Sequence, residues 1–128
     1  MKLRCLTDSI RLRLRKSDIQ LLRENSELTN SLNFPGQNNL SYGIRLTNEN
    51  HSSAFDGNLL LVTLNSQLAT KWMDSDIVSL AFKLTVDEGK QLAILIEKDF
   101  PCKHTGDDFE DTFHELQPDE FKMYKKNK

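Results

Sequence analysis

Three arginines at alternate positions, Arg11, Arg13 and Arg15, form the most chemically suggestive group in the chain. Ile10, Leu12 and Leu14 separate them, and that period of two belongs to a half-buried strand. The guanidinium groups then stand in a row on one face, about 7 Å apart. Such a row can grip phosphate or carboxylate groups bidentately. It can equally be a solvated face whose charges pair with acids across a sheet. Glu97 and Asp99, two apart on either side of Lys98, are the acids placed to do so. Arg11, Arg13, Arg15, Glu97, Lys98 and Asp99 are therefore the candidate ligand-binding residues.

A second group follows Phe100. Cys102, His104, Asp107, Asp108, Glu110, Asp111 and His114 are all of metal-binding type. Cys-x-His with a later His can supply three zinc ligands and a carboxylate the fourth. That makes Cys102, His104, Asp108 and His114 the candidate metal ligands. The spacing matches no strong zinc pattern and contains no Cys-x-x-Cys pair. An oxygen-rich calcium or magnesium loop is a further reading, without the EF-hand order of acids or its glycine. The plain alternative is a solvated acidic tail. Nucleophilic catalysis would need a Cys–His pair assembled in space from Cys5 or Cys102 and His51, His104 or His114. No nucleophile elbow, P-loop or dinucleotide fingerprint accompanies them. Cys5, alternating with Leu3, reads more simply as a small buried apolar residue.

The elements that must carry these groups follow from periodicity. Lys2 and Arg4 alternate with Leu3 and Cys5, in the opposite phase to Ile10–Arg15, so Thr7-Asp8-Ser9 must be a tight turn or a bulge. Ser17, with Gln20 three residues on and Asp18 between, predicts a helix start. Ile19, Leu21 and Leu22 would be its buried stripe, and Asn25 its end. Leu28 to Phe34 reads as a strand stopped by Pro35-Gly36. Leu40, Tyr42, Ile44 and Leu46 give the next. Thr47 to Ser53 is polar and reads as loop, and Asp56-Gly57 as a turn. Asn58 to Leu64 is apolar on both faces, as in a central strand. Asn65 or Ser66 caps a second helix, with Trp72 in the core. Val78 to Leu84 alternates, Asp87-Glu88-Gly89-Lys90 turns, and Leu92 to Ile96 is again central in character. Beyond Phe100-Pro101 the periodicity stops: residues 99–120 carry eight acids and one lysine, and residues 122–128 four lysines.

Composition narrows the partners. At 128 residues and net charge −2, the chain has one domain's length and no global field drawing it to nucleic acid or an anionic membrane. No apolar run approaches the roughly 20 residues of a membrane span. The first residues carry no secretion-signal pattern, which points to the cytoplasm and to free thiols.

Two stretches also resemble a known family. Lys2-Leu3-Arg4 with Ser9-Ile10-Arg11-Leu12-Arg13-Leu14 and Ser17 makes one. Leu95-Ile96-Glu97-Lys98-Asp99-Phe100, then Cys102 and Glu110-Asp111, makes the other. Together they resemble a small family of uncharacterised bacterial proteins, a domain of unknown function. The resemblance spans most of residues 1–111 and implies a bacterial source, a single domain and no particular activity. The chain departs from it after Asp111, running on to its lysine-rich end. His104 and His114 are not part of the likeness.

The expected fold is α+β: a mainly antiparallel sheet of about six to eight strands with two short helices on one face. Ser17 and Ser66 lie 49 positions apart, which suggests a βαββ duplication. Residues 1–100 are the expected domain and 101–128 a polar, acidic-then-basic extension. The function expected is non-enzymatic binding of a protein or small anionic ligand through the charged strand face. The alternative is a small enzyme or metal-dependent hydrolase using the Cys102–His114 segment. No cofactor, nucleic-acid or membrane partner is called for, and the chain is expected to be a monomer or homodimer.

Overall fold

The computed structural model describes residues 1–100 and 109–117. It contains eight strands in two four-stranded sheets. The strands are β1 (Lys2–Leu6), β2 (Ser9–Leu14), β3 (Glu27–Phe34), β4 (Asn38–Thr47), β5 (Ser52–Asp56), β6 (Leu59–Asn65), β7 (Ser79–Thr85) and β8 (Gln91–Lys98). Helix α1 (Lys16–Asn25) lies between β2 and β3, and α2 (Ser66–Met73) between β6 and β7. Sheet A has the order β1-β2-β8-β7 and sheet B the order β3-β4-β6-β5. In both, the outer pairs are antiparallel hairpin partners and the central pair, β2/β8 or β4/β6, is parallel. The α+β class is thus as expected, but one mainly antiparallel sheet is replaced by two mixed ones. A run that is apolar on both faces marks a strand as central without fixing the direction of its neighbours.

The β1–β2 turn resolves the opposed phases of its two strands. Only Thr7 and Asp8 separate them, and Asp8 takes a left-handed conformation (φ 59°) that a short polar side chain tolerates. The tight turn pairs even positions of β1 with odd ones of β2: Lys2 with Arg13, Arg4 with Arg11, Leu6 with Ser9. Both sets of cations therefore point the same way.

Strand β5 falls in the stretch Ser52–Asp56, partly read as loop. It is a short edge strand, Ser-Ser-Ala-Phe-Asp, and among the described residues its one strand partner is β6. Little apolar burial holds it, so it left no alternation to read. The α1 start also differs from expectation. Arg15 is the cap residue, and its backbone N–H donates to the Asp18 carboxylate (2.9 Å). Ser17 sits inside the first turn, where its N–H (2.9 Å) and hydroxyl (2.6 Å) donate to Asp111. Ile19 and Leu22 are buried as expected, while Leu21 is exposed. Asn65 caps α2, its side chain accepting from the backbone of Gln67 and Leu68.

The inward faces of both sheets share one core with the helices: Ile10, Leu12, Leu14, Ile94 and Ile96 from sheet A, Leu28, Ile44, Val62 and Leu64 from sheet B. Each helix touches both sheets rather than lying on one face of one sheet. Trp72 is buried there, and its ring N–H donates to the Val78 carbonyl (2.9 Å). Residues after Phe100 contribute too. Phe113 is 9% exposed within the core, Thr112 is buried, and the Phe113 N–H donates to the Asp99 carbonyl (2.7 Å). Cys5, expected inside, is exposed on edge strand β1.

Candidate functional site

The outward face of sheet A collects the charges. Ile10, Leu12 and Leu14 turn into the core, so Ser9, Arg11 and Arg13 turn out. Register then places Lys2, Arg4 and Leu6 of β1 beside them. From the other side it adds Ala93, Leu95 and Glu97 of β8, and Ser79, Ala81 and Lys83 of β7. Arg15 and Asp99 extend β2 and β8 in the same phase.

Among the described residues two carboxylates serve this face. Glu97 accepts from Arg13 Nε at 2.9 Å and lies 3.4 Å from Arg11 Nε. Asp99 is fully buried; Lys2 Nζ meets it at 2.9 Å and Arg15 Nε at 3.8 Å. The acid–arginine pairing that the alternation allowed is therefore present, formed across the parallel β2/β8 seam. Among the described residues no carboxylate lies within ion-pair distance of Arg4 or Lys83. Among the described residues six cations thus share this face with two acids, on a chain whose net charge is −2.

The arrangement of four of those cations is unusual. Lys2 stands directly opposite Arg13, and Arg4 directly opposite Arg11. Directly opposed side chains in an antiparallel pair have Cβ atoms about 5 Å apart, and like charges there destabilise the sheet. Two such pairs in succession make a two-by-two grid of positive charge. Sheet B has the same strand order and pairing senses and carries no such grid. Its central strand β6 turns Leu59, Leu61 and Thr63 to the corresponding face, and β5 turns Ser52 and Ala54. The one cation there, Arg45, is paired with Glu27 (2.7 Å). Strand pairing of this kind therefore does not require the basic grid.

Two concavities lie over the grid. One, about 370 Å³, is lined by Leu6, Ala81, Ala93 and Leu95 with Arg4, Arg11 and Lys83 around them. The other, about 260 Å³, is bounded by Lys2, Leu3, Arg4, Arg11 and Arg13. Arg4 and Arg11 belong to both.

Of the sequence-derived candidates, Arg11, Arg13, Arg15, Glu97 and Asp99 come together here. Lys98 does not: it projects into the core, 2% exposed. Its Nζ donates to the Ser75 carbonyl and lies 5.6 Å from the Trp72 ring centre and 5.5 Å from that of Phe113. Burial holds its pKa below the ordinary lysine value. Lys2, Arg4, Leu6 and Lys83 were missed. The signal for Arg4 was present in the phase reversal between β1 and β2, which a two-residue turn converts into a shared face. Lys83 carried no comparable signal, because its neighbours follow from strand order alone.

The metal candidates Cys102, His104 and Asp108 lie outside the described residues. His114 is described. It stacks on Phe109 (centroids 4.1 Å apart), and its Nε2 lies 3.8 Å from Glu115. Among the described residues no group of three or more His, Cys, Asp or Glu side chains could hold a metal ion. His51 stacks on Phe82 (4.6 Å), and its Nδ1 accepts from the Asn65 backbone N–H (3.0 Å). Among the described residues no helix is long and apolar enough to cross a membrane.

Comparison with protein families matches residues 1–117, a span that includes every described element, to a family of unknown function, DUF7009. No curated protein and no solved structure matches the chain. The chain that places this basic grid on one of its two sheets belongs to the DUF7009 family of unknown function.

Proposed function

We propose that this protein is a non-catalytic binding module that holds an anion on the outward face of sheet A. The observation that carries the reading is the grid Lys2/Arg13 and Arg4/Arg11, two successive like-charge pairs directly opposed across β1 and β2. Such pairs weaken a sheet, and the corresponding face of sheet B does without them. A bound phosphate, sulfate or carboxylate group would convert the repulsion into charge-assisted hydrogen bonds. Arg11 and Arg13 are already oriented by Glu97, so less side-chain freedom is lost on binding.

The element spacing supports the comparison between sheets. β1 and β5 start at 2 and 52, β2 and β6 at 9 and 59, α1 and α2 at 16 and 66. We read this as a duplicated ββαββ unit, one strand longer than the βαββ expected from the sequence. Each unit gives one hairpin to each sheet, since β1β2 joins β7β8 and β3β4 joins β5β6. At the offset of 50 that holds from β1 to α1, Arg4, Arg11 and Arg13 correspond to Ala54, Leu61 and Thr63. The charges then distinguish one unit from the other.

The test uses those counterparts. In the full chain, Arg4→Ala with Arg11→Leu should fold with unchanged or raised thermal stability. Phosphate and sulfate should raise the melting temperature of the parent protein and not of the double variant. Equal anion effects on both proteins would refute the site.

A further inference from the structure

The two concavities over sheet A differ in chemistry and are joined by Arg4 and Arg11. Along β1 and β2 the paired positions run Lys2/Arg13, then Arg4/Arg11, then Leu6/Ser9. Each step is about 7 Å. The surface therefore passes from wholly basic to wholly uncharged within two steps. Beyond Arg11 the Arg4/Arg11 row continues across the sheet as Leu95 and Ala81, and the next row runs Leu6, Ser9 and Ala93 to Lys83 at the far rim. Leu6 is 59% exposed, a large apolar side chain presented to solvent beside an arginine that has no carboxylate partner among the described residues. A site for a bare inorganic anion has no use for this apolar floor. The volume of about 370 Å³ falls within the range of small-molecule sites.

We infer that the ligand is an anionic amphiphile: a carboxylate or phosphate head held by Arg4 and Arg11, with an unbranched apolar chain lying across Leu6, Ala81, Ala93 and Leu95. The inference rests on the anion reading above and adds the apolar half. The charge sets the direction. The head belongs at the basic end, where Lys2 and Arg13 reinforce the two arginines, and the chain points toward β7. Binding takes apolar surface of both partners out of water, and affinity rises about tenfold for every two methylenes buried. It is a free molecule that fits, since the lining is a concavity of molecular size rather than a flat apolar patch.

The experiment is calorimetric titration of the full chain with four probes: inorganic phosphate, octyl phosphate, octanoate and octyl glucoside. Octyl phosphate and octanoate should bind, octyl phosphate at least tenfold more tightly than inorganic phosphate, and octyl glucoside should not bind measurably. Leu6→Ser should remove most of the gain from the alkyl chain while leaving phosphate binding intact. Arg4→Ala should weaken all three anionic probes. Leu6 and Arg4 are both exposed on an edge strand, so both variants should fold, and circular dichroism checks that each does. Equal affinity for phosphate and octyl phosphate overturns the amphiphile while the anion site stands. Octyl glucoside binding as tightly as octyl phosphate overturns the role given to the head group. Cosedimentation with phosphatidylglycerol vesicles, without binding of the monomeric probes, overturns the free-ligand form of the proposal. Silence of all four probes removes both readings together.

Discussion

Glu97→Gln is expected to lower stability and raise anion affinity at the same time. Glu97 is the carboxylate that meets Arg11 and Arg13, at 3.4 and 2.9 Å, with Lys2 and Arg4 one strand further out. At an effective dielectric of about 20, two unit charges 2.9 Å apart attract by roughly 6 kcal/mol before other terms are counted. The Arg11 and Arg13 side chains are 33% and 42% exposed, so solvent screening and the ordering of long side chains remove most of that. The substitution also leaves four cations with less countercharge. The expected net loss is about 1–3 kcal/mol in low salt, near 0.01 M. At 1 M salt, where the Debye length is about 3 Å, less than half of it should remain. Urea unfolding at both ionic strengths, with an unchanged slope, measures this. The same protein should bind phosphate about three- to tenfold more tightly, because removing a competing internal anion outweighs the lost orientation of the two arginines. If Glu97→Gln matches the parent in both stability and phosphate affinity at low salt, the cations are not electrostatically coupled and the argument for the grid fails.

Lys98→Met should change stability by no more than about 1 kcal/mol at pH 7, because replacing a buried charge by an apolar side chain of similar length is often neutral. The lowered Lys98 pKa means that, in a window below the ordinary lysine value, the unfolded chain binds more protons than the folded one. Parent stability should therefore rise through that alkaline window, and Lys98→Met should lose that contribution in pH-dependent unfolding. Gly43→Ala should cost about 1–3 kcal/mol in chemical denaturation. A Cβ there would lie 2.6 Å from the Leu28 carbonyl oxygen and 2.8 Å from Thr29 Oγ1, in the tight β3–β4 pairing. Phe113→Ala should cost about 2–4 kcal/mol and speed amide exchange at Ser17. Its ring is 9% exposed, and the segment it anchors supplies Asp111 to the start of α1. Burial holds the His51 pKa below the ordinary imidazole value. Stability should therefore fall as pH drops below about 6.5, since protonation removes the acceptor for the Asn65 N–H, and His51→Gln should flatten that limb.

Local pattern was enough for much of the fold. The alternation of Ile10 to Arg15, the apolar runs at Leu59–Leu64 and Leu92–Ile96, and the Asn65 cap each depend on neighbours a few residues away, and each appears as read. The α1 start was misplaced for the opposite reason. Ser17 has the right chemistry for a cap, but the partner it uses is Asp111, 94 positions distant. Strand β5 was missed because this short edge strand, whose Phe55 is exposed, gains its order from β6 and not from burial.

The sequence by itself determined which residues face out together on β2, and that Glu97 and Asp99 share a phase. Those are consequences of a period of two. The adjacency and parallel direction of β2 and β8, which bring Glu97 to both Arg11 and Arg13, came from long-range packing. That packing also brought Ala81 and Lys83 of β7 beside Leu95 and Ala93. The physical reason is that strand order depends on contacts between distant segments, here 84 positions apart for Arg13 and Glu97. Such contacts leave no local periodicity behind them. The division of the chain into two sheets, one plain and one basic, arises at that level, and so does the site.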